Sequence, residues 1–173
     1  MKKTQKKTNT HTIYNINDVA DYVIIQAKGD DEKTPLSNLK LQKILYYIQA
    51  WSYGIHKRPF FKGNFQAWIH GPVNREIYDR FSTKFIYDEI NLKDCKNKSP
   101  QIKNKDLIFL NFILNNYLQY SGFDLESMTH KERPWKEARG DRKFTDRCEN
   151  IITEKSMIDF YGKKWANIQA KDS

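Results

Sequence analysis

The sequence predicts a mainly α protein: a single compact helical domain around a central buried helix, with a short two-stranded β element. Three observations carry that reading. In LSNLKLQKILYYIQAW and the residues after it, Leu41, Ile44, Leu45, Ile48, Ser52 and Ile55 recur at helical spacing and form one inward stripe. A second seam, Leu107, Leu110, Leu114, Tyr117 and Leu118, runs through a helix from about Lys105 to Tyr120. Between them, HKRPFFKGNFQAWIHGPV shows no helical period, and FQAWI alternates Phe65, Ala67 and Ile69 against Gln66 and Trp68, the pattern of a short strand.

The elements follow in order. Residues 1–12 read as a disordered basic tail, with Lys, Thr, Gln and Asn and no apolar period. The domain is expected over residues 13–173. Asn17 or Asn15 caps a first helix to about Ala27, which Gly29 ends. GDDEKTP is a loop. Thr34-Pro35 fits an N-cap with Pro at the first helical position, and Ser37 is the alternative cap of the central helix. Gly54 is its expected stop. Leu39, Tyr46, Tyr47 and Trp51 widen the apolar arc, with the tyrosines beside the stripe, their hydroxyls free to reach water or a polar partner.

After the FQAWI strand, Gly71-Pro72 is a break, and Pro72 opens a helix showing Val73, Ile77 and Phe81. KFIYDEI reads as the second short strand, and residues 91–103 as a lysine-rich linker. In the 105–120 helix, Ile108, Phe109, Phe112 and Ile113 fill much of the remaining surface, which predicts burial on several sides. DLESMTHKE, PWKEARG and TEKSMIDFYGKKW are three short helices, the last with Thr153 as its cap. No internal repeat occurs.

Charge narrows the function classes. The net charge is +9 over 173 residues. Lys2, Lys3, Lys6 and Lys7 lie in the tail, residues 93–105 hold five lysines against one aspartate, and residues 121–149 balance seven basic against seven acidic residues. Such an excess suits nucleic acid or an acidic protein partner, and equally a set of solvated lysines. Two cysteines, Cys95 and Cys148, are too far apart for a zinc ribbon or a CxxC motif. With no secretory h-region and no membrane-length apolar run, the expectation is a cytoplasmic protein with both thiols free and no membrane partner.

Catalytic signatures are sparse. The histidines His11, His56, His70 and His130 form no i, i+4 pair and no HExxH. Cys95 sits in the lysine-rich linker and Cys148 in DRCEN, neither in a setting that suits a nucleophile. Walker, GxGxxG and GxSxG loops are absent. The expectation is no enzyme, no catalytic residue, no metal and no cofactor. A helix from Pro72 to Phe81 with Asn74, Arg75 and Arg80 imitates a recognition helix, but the strand before it spoils a helix-turn-helix. Large side chains beside chain breakers remain: Trp68, His70, Gly71 and Pro72, then Thr129, His130, Pro134, Trp135 and Arg139. They either close corners of the fold or form a recognition surface, since Trp, Tyr and Arg dominate interface hot spots.

Three blocks in order, LSNLKLQKILYYIQAW, AWIHGPVNREIY and MTHKERPWKEAR, resemble the Panacea domain of the SocA-like and GepA-like antitoxin family. The structural part of that pattern falls on Leu41, Leu45, Tyr46, Gly71, Pro72, Pro134 and Trp135. The resemblance implies a mostly helical antitoxin of bacterial mobile elements and prophages. Its partner would be a cognate toxin, bound directly and in one lineage handed to a housekeeping protease. Some members add a DNA-binding module for which this chain has no room, which makes direct operator binding doubtful. The candidate partner contacts are Tyr47, Trp68, His70, Arg75 and Arg139. The alternative is a nucleic-acid-binding regulator of a mobile element, acting through the tail and the 93–105 segment. Neither oligomeric state nor the toxin's identity is legible.

Overall fold

Asn38–His56 forms the 19-residue helix α2, the axis of the computed structural model, which describes residues 12–29 and 34–171. The expected tail, except Thr12, and the middle of the GDDEKTP loop lie outside the described residues, as does His11. Every α2 residue from Asn38 to Gly54 is buried. Ser37 is its cap, accepting from the Lys40 amide at 3.2 Å, so Thr34 and Pro35 precede the helix. Gly54 does not end it. The helix runs to His56 and closes on Lys57 in the left-handed conformation (φ 56°).

Around α2 pack α1 (Ile16–Lys28), α3 (Arg75–Arg80), α4 (Asn104–Tyr117), α5 (Gly122–Lys131) and α7 (Glu154–Gln169), while α6 (Arg133–Arg139) packs on α5 and α7. The protein is mainly α. Asn15 caps α1, with the Asn17 amide donating to its side chain at 2.8 Å. Ser121 and Asp124 form a reciprocal capping box on α5, and Thr153 caps α7. The most extensive packing joins α2 to α7. There a Cβ on Gly54 would lie 2.5 Å from Tyr161 Cβ, so only glycine lets the helices approach this closely.

The β element differs from expectation. Gln66–Trp68 (β1) pairs antiparallel with Gly71–Val73 (β2), in the register Gln66–Val73, Ala67–Pro72 and Trp68–Gly71. Gly71-Pro72 therefore turns the chain back beside β1, helped by φ +90° at Gly71. Pro72 does not open a helix. Asn74 does, its side chain accepting from the Ile77 amide at 3.1 Å. KFIYDEI forms turns with a lone bridge from Glu89 to Ser37, because it is used to bind the start of α2: Leu39 N donates to Ile86 O and Ile90 N to Leu36 O.

Two further expectations are corrected. Helix α4 is not buried on several sides. Ile108 is 76% exposed and Phe112 39%, and the helix faces the core with Phe109, Leu110, Ile113, Leu114 and Tyr117. The 91–103 segment is no loose linker. Leu92–Asp94 is a short 3-10 turn, and the Asn97 amide donates to Asp21 at 2.8 Å. Asp21 is also paired with Arg80, a buried ion pair that ties α1 to the end of α3. Burial pushes the nearby Cys95 thiol up to about 11, which keeps it protonated and unreactive.

Candidate partner-binding face

The two glutamines of α2 use their side chains as backbone does in a sheet. Gln42 donates to Asn74 O (3.2 Å) and accepts from Asn74 N (2.9 Å). Gln49 accepts from Phe60 N (2.9 Å) and donates to Phe61 O (3.0 Å). Each satisfies backbone groups that a helix alone would leave buried and unpaired. These bonds hang the segments before and after the hairpin on the central helix.

Lys43 completes the attachment. It is fully buried and donates to Pro72 O at 3.1 Å. A Cβ at Gly71 would lie 2.6 Å from Lys43 Cε and 2.8 Å from Thr129 Oγ1, so a side chain at position 71 would expel the lysine. On the other side, Trp135 Nε1 donates to Trp68 O at 3.0 Å and His130 stacks on Trp135 with ring centroids 4.1 Å apart. The three blocks picked out in the sequence thus converge on the hairpin.

A cluster of ionisable groups lies where they meet. His70 Nδ1 is 3.1 Å from Glu126 Oε1. The other Glu126 oxygen and His130 Nε2 are buried without a hydrogen-bond partner. Burial drives the Lys43 amine down to about 7, opposed by the Glu126 charge. Burial also lowers His130; Glu126 opposes that shift, while Lys43 and His70 reinforce it. Among the described residues, no group of three or more His, Cys, Asp and Glu is placed to hold a metal, and no helix is long and apolar enough to cross a membrane.

The sequence-selected residues divide sharply. Trp68, His70 and Arg75 reach the surface. Trp68 packs on Tyr78 at 4.8 Å, His70 is 42% exposed, and Arg75 pairs with Asp79 at 2.9 Å. Tyr47 and Arg139 do not reach it, and their expected surface role is corrected. Tyr47 is fully buried and stacks on Tyr117 at 4.0 Å. Arg139, only 3% exposed, donates to the carbonyls of Ala67, Lys143, Phe144 and Asp146 at 2.9–3.1 Å and so holds the 143–146 loop against β1. Tyr46 is equally buried, and its hydroxyl, like that of Tyr47, does not reach water. Burial first, and the Glu132 carboxylate second, raise both hydroxyls well above the tyrosine range. Leu41, Leu45, Gly71, Pro72, Pro134 and Trp135 are all buried, with Pro134 in the first turn of α6.

Sequence reasoning passed over several strongly exposed aromatics. Phe85 is 81% exposed, Phe123 61% and Tyr87 52%, and Tyr87 stacks on Phe123 at 5.0 Å. These side chains edge two depressions. One, of about 850 Å³, lies between the start of α2 and the end of α4 and includes Tyr87 and Phe123. The other, of about 310 Å³, includes Trp68, Tyr78 and Phe85 and has Asn38 and Lys43 in its wall. A third, of about 390 Å³, shares Trp68 and Tyr78 and continues to Arg75. Phe85 and Tyr87 lie in an irregular segment and Phe123 stands alone at the start of α5, so none carries a periodic signal; Lys40 and Lys43, cations within a buried helix, are the signals that point here.

A mainly helical chain whose hairpin and two flanking helices are locked onto one axial helix defines the class. Residues 41–136, more than half of the chain, match the family described as Antitoxin SocA-like, Panacea domain, and the chain belongs to that family. It is similar to Antitoxin SocA of Caulobacter vibrioides (strain NA1000 / CB15N), 40% identical over 79 residues, which span 44% of this chain and 41% of that protein. The chain therefore matches less than half the length of this curated relative. No solved structure matches it.

Proposed function

We propose that the protein is a non-enzymatic antitoxin of a bacterial mobile element or prophage that acts in the cytoplasm and neutralises a cognate toxin by direct contact. Family membership supports the antitoxin role. The observation that carries the contact surface is the exposed aromatic set Phe85, Tyr87 and Phe123, bordered by depressions that extend to Trp68 and Arg75. Aromatic residues rarely stand this far into solvent on a lone protein without a partner to cover them, and they concentrate binding energy when covered. Trp68, His70 and Arg75 flank the same face. A housekeeping protease that receives the bound toxin is the second partner this reading admits.

The test is co-expression with the toxin encoded beside the gene. Phe85→Asp and Phe123→Asp should fold with unchanged melting temperature, yet lose toxin capture and growth rescue. Ile108→Asp, on the exposed side of α4, should retain both. If both aromatic variants neutralise the toxin like the wild type, the proposed face is wrong.

A further inference from the structure

The depression of about 310 Å³ beneath Phe85 has polar groups that the docking of a toxin does not require. Its walls are apolar, with Leu39, Val73, Tyr78 and Phe85. Three residues in the wall are polar and almost wholly buried, and one of them, Gln42, is already paired with the Asn74 backbone. Asn38, 4% exposed, leaves its side-chain oxygen without a hydrogen-bond partner. Lys43, fully buried, makes one hydrogen bond, to Pro72 O, and keeps two ammonium protons unspent. Asn38 is the first residue of α2, where the aligned peptide dipoles favour negative charge, and Lys43 lies more than one turn further along the same helix. Lys84, paired with Asp94 at 3.3 Å, adds a further cation in the wall. A buried amine and an unmet polar side chain in the wall of an apolar depression are costly unless something binds there.

We infer that this depression is a binding site for a carboxylate with an apolar body, its charge taken by Lys43 and any neighbouring N–H of the ligand accepted by the Asn38 side-chain oxygen. The site does not depend on the antitoxin reading. An organic carboxylate fits better than an inorganic anion, because the walls are largely apolar and the Glu126 charge, which also acts on Lys43, disfavours any further negative charge. The lysine's flexible stem lets its ammonium turn from the Pro72 carbonyl towards the ligand. The carboxylate could be that of a small metabolite or of a protein chain end, and the two can be told apart with probes.

The isotope-labelled full chain is titrated by NMR with phenylacetate, N-acetylphenylalanine, the primary amide of each, and inorganic phosphate, at pH 6.5. At least one acid should shift the backbone amides of Asn38, Lys43, Ile69 and Phe85 and bind at least tenfold more tightly than its own amide. Tighter binding of phenylacetate identifies a metabolite-like site, and tighter binding of N-acetylphenylalanine a chain-end site. Lys43→Met should weaken the acid at least tenfold while keeping a dispersed spectrum. The acid–amide comparison in the unaltered chain stands even where that variant misfolds. Equal binding of acid and amide, preference for phosphate, or no saturable shift with either acid would overturn the inference.

Discussion

The first half of the central helix buries Asn38, Lys40, Gln42 and Lys43; the second half buries Tyr46, Tyr47, Trp51 and Tyr53. Both halves carry polar atoms into the interior, with opposite outcomes. Around the second half, Tyr161 donates to Glu132 at 2.5 Å, Lys164 to the other Glu132 oxygen at 3.0 Å, and Trp51 to the Tyr117 hydroxyl at 2.7 Å. The Tyr46 and Tyr47 hydroxyls lie deep among those rings. In the first half, Gln42 is fully used as a backbone partner, while Asn38 and Lys43 stand in the wall of an open depression. The contrast teaches that burial alone does not mark a functional polar group. What distinguishes Lys43 from Tyr47 is the space beside it.

The widest split between the halves should come from replacing Lys43. Its amine is lowered to about 7 in the folded chain, against about 10.4 when unfolded. Below pH 7 both states hold the proton and the folded state bears the full cost of burying it. From pH 7 to 10.4 only the unfolded state holds the proton, so stability rises with pH and the penalty fades. Lys43→Met should therefore stabilise the protein at pH 6 by as much as about 5 kcal/mol, less the bond to Pro72, and the gain should shrink through pH 9. Urea midpoints at the two pH values measure it. A pH-independent difference would show that Lys43 is solvated and the contrast false.

Leu45→Ala, in the wholly buried stripe, should do the opposite and cost about 2–5 kcal/mol at every pH. Next in size is Gly54→Ala, where the new methyl meets Tyr161; it should cost about 1–3 kcal/mol and loosen α7 first, read as faster amide exchange there. Smallest is Arg75→Glu. Its exposed pair with Asp79 should be worth less than about 1 kcal/mol, so the melting temperature should hardly move while toxin binding falls.

Much of this fold was legible because amphipathic helices announce themselves by period. The stripe of α2, the caps Asn15 and Thr153, and the FQAWI strand needed only local chemistry. The pairing strand was missed because Gly71-Pro72-Val73 is too short to alternate and holds a proline that donates nothing to the ladder. The exposure of Ile108 and Phe112 was misread because α4 is apolar on nearly all sides, and period cannot choose a face there. At the candidate site, Trp68, His70 and Arg75 were visible as types. Arg139 was misplaced because an arginine that clamps carbonyls and one that meets solvent look alike in one dimension. Phe85 and Tyr87 reach the surface through the path of an irregular segment that only tertiary contacts define, and Phe123 from the first turn of α5, where a lone aromatic carries no period.

The glycine contact between α2 and α7 also bears on synthesis. The helix that covers Tyr46, Tyr47 and Trp51 is made about a hundred residues after the helix it seals. A ribosome that stalls before Glu154 releases a chain whose aromatic centre has no lid and whose Glu132 has lost the Tyr161 hydroxyl and the Lys164 ammonium. A chain cut at residue 153 should therefore fold poorly rather than behave as a weaker version of the whole, read as aggregation of that truncated protein on expression.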